Sequence, residues 1–69
     1  MKFIVNDEAK IINFKKSPPS LLLLIKELHL NPQLIVVEFN GIILNQSKWE
    51  HQEVKDGDRL EIVTIVGGG

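Results

Sequence analysis

The chain contains no cysteine. Disulfides, thiolate metal sites and any mechanism in which it supplies a nucleophilic thiol are therefore excluded. Its two histidines, His29 and His51, stand alone, without clustered acids at ligand spacing. A helix-end or surface position suits them better than a metal site. No Ser/His/Asp signature, phosphate loop or dinucleotide fingerprint occurs, so independent catalysis is not expected. Asp56-Gly57-Asp58 lacks the spacing of a calcium loop. The longest uninterrupted apolar run is Leu21 to Ile25, far short of a bilayer span. Asn6, Asp7 and Glu8 stand where a secretory leader would need apolar residues, so no leader and no membrane association are expected. A basic face is missing too. The formal net charge is -1, which argues against a nucleic-acid partner.

What is present is enough for one small domain. A chain of 69 residues closes a single core whose surplus stability is about 3–5 kcal/mol. With 43% hydrophobic and 25% charged residues, the composition is that of an ordinary globular protein. The charge is unevenly spread: residues 1–36 balance at +2 and residues 37–69 at -3. Such an acidic second half would steer toward a basic partner surface. The acids Glu50, Glu53, Asp56, Asp58 and Glu61 are interspersed with Lys55 and Arg59 and read as a solvated face.

Period changes divide the chain. Lys2 to Val5 is β-branched and aromatic, Asn6-Asp7-Glu8 is a turn, and Ala9 to Phe14 is a second strand-like stretch, together an opening hairpin. Ser17-Pro18-Pro19-Ser20 punctuates the chain before the period lengthens. Ser17, Pro18 and Ser20 each qualify as a helix cap. Leu21, Leu24, Ile25 and Leu28 then fall on one helical stripe. The helix should stop near His29 or Leu30, because Pro32 pushes Asn31 out of helical geometry. Leu34 to Phe39 reads as a buried strand, Asn40-Gly41 as a tight turn and Ile42 to Leu44 as a short return strand. Asn45 to Val54 is a polar connection anchored by Trp49, with room for one helical turn. Asp56-Gly57-Asp58 is another turn, and Arg59 to Val66 is the last strand. The order is β-β-α-β-β-β. A long apolar last strand must lie centrally, and pairing it parallel to the first would bury it. The expected fold is therefore α+β, a ubiquitin-like β-grasp: a mixed sheet with one helix on one face. Residues 1–66 form the domain and residues 67–69 a flexible glycine tail.

The run Asp56-Gly57-Asp58-Arg59-Leu60-Glu61-Ile62-Val63-Thr64-Ile65-Val66-Gly67-Gly68-Gly69 resembles the end of the ThiS family, the sulfur carriers of the thiamin pathway. That family typically shows Gly-Asp, then Glu-Ile-Val, then a Val-Gly-Gly ending. Asn40-Gly41 before a short strand and Trp49 in the following loop are similar to the family as well, so the resemblance covers essentially the whole chain. The Ser17-Pro18-Pro19-Ser20 entry to the helix is not typical of it. The molybdopterin-synthase small subunit, a carrier for another pathway, resembles the chain less. Ubiquitin carries basic residues before its glycines, whereas Val63 to Val66 are uncharged.

The resemblance implies that the chain is a co-substrate and not an enzyme. An E1-like adenylyltransferase of the ThiF type would use ATP to adenylate Gly69. A persulfide donor such as a cysteine desulfurase would supply sulfur, forming a thiocarboxylate. Thiazole synthase of the ThiG type would take that sulfur for the thiazole ring. No cofactor is expected on this chain itself. The expected compartment is the cytoplasm, or a plastid stroma. Gly67 and Gly68 would form the stalk. Lacking Cβ, glycine enters a narrow channel and approaches phosphate closely, and three extended residues reach roughly 10 Å. Ordering them costs roughly 1–2 kcal/mol per residue, which a docking surface on the domain should offset. Strand alternation turns Leu60 and Ile62 toward the helix and Glu61, Val63 and Ile65 away from it. Val63, Ile65 and Glu61, with Val36 from the neighbouring strand, are the expected docking residues. Two other functions suit the same sequence: a ubiquitin-like modifier joined through Gly69 to target lysines, and a plain interaction module. A chain already ending at glycine, with no trimming required, favours the carrier over the modifier.

Overall fold

The hairpin at the start is tighter than its sequence suggests. Strand β1 (Lys2–Val5) pairs antiparallel with β2 (Glu8–Ile11), and Val5 sits opposite Glu8. Only Asn6 and Asp7 remain for the turn, at φ 50° and 66°. Positive φ at both centres gives the turn whose twist matches that of the flanking strands. The second strand thus begins at Glu8 rather than Ala9 and ends at Ile11 rather than Phe14. After the Ile12 N–H donates to the Met1 carbonyl at 2.8 Å, the chain leaves the sheet. Phe14 then meets Phe3 edge-on, with ring centroids 6.0 Å apart. This computed structural model describes residues 1–15 and 17–65.

Ser20 settles the helix entry. Its Oγ accepts the Leu23 N–H at 3.2 Å, capping helix α1 (Leu21–Glu27), a bond worth about 1 kcal/mol at a helix start. Leu21, Leu24 and Ile25 are buried, and Leu28, at the C-cap, packs half-buried against the same core. His29 at φ 60° ends the helix in left-handed geometry. Pro32 then opens a 3-10 turn (Pro32–Leu34) capped by the Asn31 side chain. Strand β3 (Ile35–Phe39) consequently starts one residue after Leu34. Asn40-Gly41 makes the expected turn, at φ 49° and 87°, into β4 (Ile42–Leu44). A second 3-10 segment (Gln46–His51) carries Trp49 into the core, where its indole N–H donates to the Leu44 carbonyl at 3.1 Å. Only 1% of Trp49 is exposed, so it anchors the long connection as its isolation in a polar segment implied. That connection also touches the helix entry: the Leu21 N–H donates to the Gln52 carbonyl, and the Val54 N–H to that of Pro19.

Strand β5 (Arg59–Thr64) completes a five-stranded sheet in the order β2-β1-β5-β3-β4. It runs parallel to β1 and antiparallel to β3. The mixed sheet with a central last strand and one helix is the expected ubiquitin-like β-grasp. The described strand ends at Thr64, and the Ile65 N–H still reaches the Leu34 carbonyl at 2.6 Å; Val66 lies outside the described residues. One residue contradicts the solvated-face reading. Asp58 is buried, with 3% exposure. Its carboxylate accepts the Lys55 N–H at 2.8 Å and the Asn40 side-chain amide at 3.0 Å, and the Lys55 ammonium lies 3.4 Å away. Asn40 in turn accepts the Arg59 N–H through Oδ1 at 2.9 Å. Asp58 thus fastens two turns to the head of β5, and burial is tolerated because its acceptors are filled.

Candidate functional site

The strand leading to the glycines lies at the centre of the sheet, and its two faces differ. Leu60 is fully buried and Ile62 packs half-buried against the core. On the opposite face Val63 is 63% exposed and Ile65 48%. Strand alternation accounts for the division. Val36 pairs directly with Val63 across β3 and β5 and is exposed too. Val36, Val63 and Ile65 therefore form an uncovered apolar patch beside the last described backbone bond of β5. Glu61 lies on the same face, half-buried. Gly67, Gly68 and Gly69 lie outside the described residues.

Register adds residues that the sequence did not single out. Glu38 stands directly opposite Glu61, and Ile43 of β4, 69% exposed, stands opposite Glu38. Two carboxylates facing each other across neighbouring strands oppose pairing. Among the described residues neither has an ion-pair partner within 4 Å; the ion pairs found are Lys10–Glu8, Lys55–Asp58 and Arg59–Asp7. The patch thus combines apolar contact surface with two negative charges. Alternation along β3 could have placed Glu38 outward, but nothing local fixes its alignment with Glu61. His29 and His51 are both exposed, and no group of three metal-ligating side chains occurs among the described residues. No described helix is long and apolar enough to cross a membrane.

The arrangement is a domain whose central strand ends beside an apolar, acidic patch. A family model described as the ThiS family matches residues 3–69. The chain belongs to the ThiS family. The sulfur carrier protein ThiS of Bacillus subtilis is 32% identical over 61 residues, 88% of this chain and 92% of that protein. The crystal structure of the thiamine biosynthesis protein ThiS from Geobacter metallireducens superposes with a TM-score of 0.81 at 27% identity, covering 100% of both chains. An uncharacterized protein, ycf40, of Trieres chinensis is 49% identical over 39 residues, and the match spans about half of it (53%). A thiazole synthase of Paramagnetospirillum magneticum is 38% identical over all 69 residues, which make up 20% of that protein. Membership places the chain in the ThiS sulfur-carrier family of thiamin biosynthesis, and its described residues have the ThiS fold.

Proposed function

We propose that this ThiS-family chain carries sulfur as a thiocarboxylate on Gly69 and gives it to a thiazole synthase. A carboxylate is a poor electrophile, so the terminal oxygen must first become a leaving group. An E1-like adenylyltransferase would join the Gly69 carboxylate to the α-phosphorus of ATP, releasing pyrophosphate. The terminal sulfur of a persulfide, such as one formed on a cysteine desulfurase, would then attack the acyl carbon and expel AMP. Cleavage of the resulting S–S bond by a thiol leaves the thiocarboxylate. This chain contributes the reacting carbonyl and the means to present it, while its partners supply the catalysis.

The observation that carries this reading is the family match running through Gly69, on a strand that ends beside an uncovered apolar patch. A thin stalk has little surface of its own, so binding must come from the domain. Val36, Val63 and Ile65 supply the apolar part, and Glu61 with Glu38 would attract a basic partner surface. Both partners must reach the same stalk, so we place both on this patch. The likeness to one fifth of a thiazole synthase from Paramagnetospirillum supports that enzyme class as the acceptor. Incubation with an E1-like enzyme, ATP and a persulfide donor tests the proposal. A mass gain equal to one oxygen replaced by sulfur supports the carrier. Conjugation to lysines would instead make the chain a modifier, and an unchanged mass would leave only an interaction module.

A further inference from the structure

The turn between β1 and β2 does more than reverse the chain. Strand β1 runs parallel to β5 only through Ile4 opposite Arg59 and Val5 opposite Leu60. The Asn6 N–H donates to the Leu60 carbonyl at 2.9 Å, and the main chain then swings away through left-handed Asn6 and Asp7. A parallel ladder would continue by filling the N–H and carbonyl of Ile62 from further along β1. No such residues exist, because β1 has ended. The Asn6 side chain takes their place: Oδ1 accepts the Ile62 N–H at 2.7 Å, and Nδ2 donates to the Ile62 carbonyl at 3.1 Å. One carboxamide thus acts as two further strand positions, joining residues 56 apart in sequence.

From this geometry we infer that Asn6 is a positioning residue for the carrier reaction, clamping β5 at Ile62 and so fixing the direction in which the stalk leaves the domain. The inference rests on the carrier reading above. Beyond Leu60, the β1 side of the strand is held by this side chain, while the other side is held by β3 as far as Thr64 and by the Leu34 carbonyl at Ile65. With the clamp gone, the chain over Ile62 to Ile65 hangs from the β3 side alone. The patch residues Val36 and Val63 stay paired, so docking persists. The reacting carbon, several residues further on, would be presented over a wider range of directions, and placement errors of an ångström are enough to slow chemistry severely.

The test is Asn6→Gly, which removes the carboxamide and tolerates the left-handed turn, with Asp7→Gly as the control in the same turn. Among the described residues, the Asp7 side chain makes only an exposed ion pair to Arg59. Measured where all three proteins are folded, amide exchange at Ile62 should quicken by about tenfold or more in Asn6→Gly, with Val63 and Ile65 much less affected. Thiocarboxylate formation by the E1-like enzyme should lose roughly tenfold in kcat at unchanged KM. Asp7→Gly should change neither. Unchanged Ile62 exchange, unchanged kcat, or equal losses in Asp7→Gly would overturn the inference. If the wild-type chain itself gained no sulfur, the carrier reading would fail. Ile62 exchange would still decide whether Asn6 holds the end of β5.

Discussion

The two ends of β5 are built for opposite purposes. At its start, Leu60 is fully buried, Asn40 and Asp58 bind the entering turn, and β1 and β3 flank the strand on either side. At its far end Val63 and Ile65 are largely exposed, β1 has stopped, and β3 with one asparagine side chain holds what remains. The first half secures the fold, and the second half offers surface and leads to the glycines. The proposed carrier role requires one end of a strand to stay fixed while the other is handed to its partners. This strand divides those demands along its length, and the division can be broken at one end without the other.

The largest expected effect lies at the very end. Deleting Gly69 should abolish thiocarboxylate formation while leaving the thermal midpoint within error of wild type; retained sulfur transfer would refute the proposed role. At the buried start, Leu60→Ala should cost about 2–5 kcal/mol. That is most or all of the roughly 3–5 kcal/mol available to a domain this small. Denaturant titration would show it, and a loss under 1 kcal/mol would mean that Leu60 is not the wedge its burial indicates. Val63→Asp, at the exposed end, should leave the denaturation midpoint nearly unchanged. It should weaken binding to both partners by about 2 kcal/mol, roughly thirtyfold, the scale of an interface hot spot. Loss of fold in that variant would move Val63 into the core. The smallest effect is Asp58→Asn, which keeps the side-chain shape and loses the charge. It should destabilise by about 1–2 kcal/mol, because Oδ1 and Oδ2 each accept an N–H and asparagine turns an NH2 toward one of those donors, leaving it unpaired.

Much of this division is legible in the sequence where the signal is local. Alternation along Arg59 to Ile65 separates Leu60 and Ile62 from Glu61, Val63 and Ile65. The i, i+3, i+4 stripe marks α1, and Asn40-Gly41 and Asp56-Gly57-Asp58 mark the turns into β4 and β5. What escapes is non-local. The burial of Asp58 depends on Asn40 arriving from a different turn. The opposition of Glu38 and Glu61 is a matter of strand register, and the clamp at Ile62 needs β1 and β5 to be parallel and β1 to stop at Val5. The sequence also overstates strand ends, for a related reason. Ile12, Phe14 and Ile65 are as strand-prone as their neighbours, but no partner strand continues beside them. Ser17, Pro18 and Ser20 are equivalent as caps on local signals, and a single hydrogen bond to Ser20 distinguishes them.

The most direct measurement compares intact masses of the chain ending in a free Gly69 carboxylate and of the same chain ending in an amide. Each is treated with ATP, an E1-like adenylyltransferase and a persulfide donor. The acid should exchange one oxygen for one sulfur, and the amide should emerge unchanged. An unaltered acid, or sulfur found on the amide, would contradict the assignment of Gly69 as the carrying group.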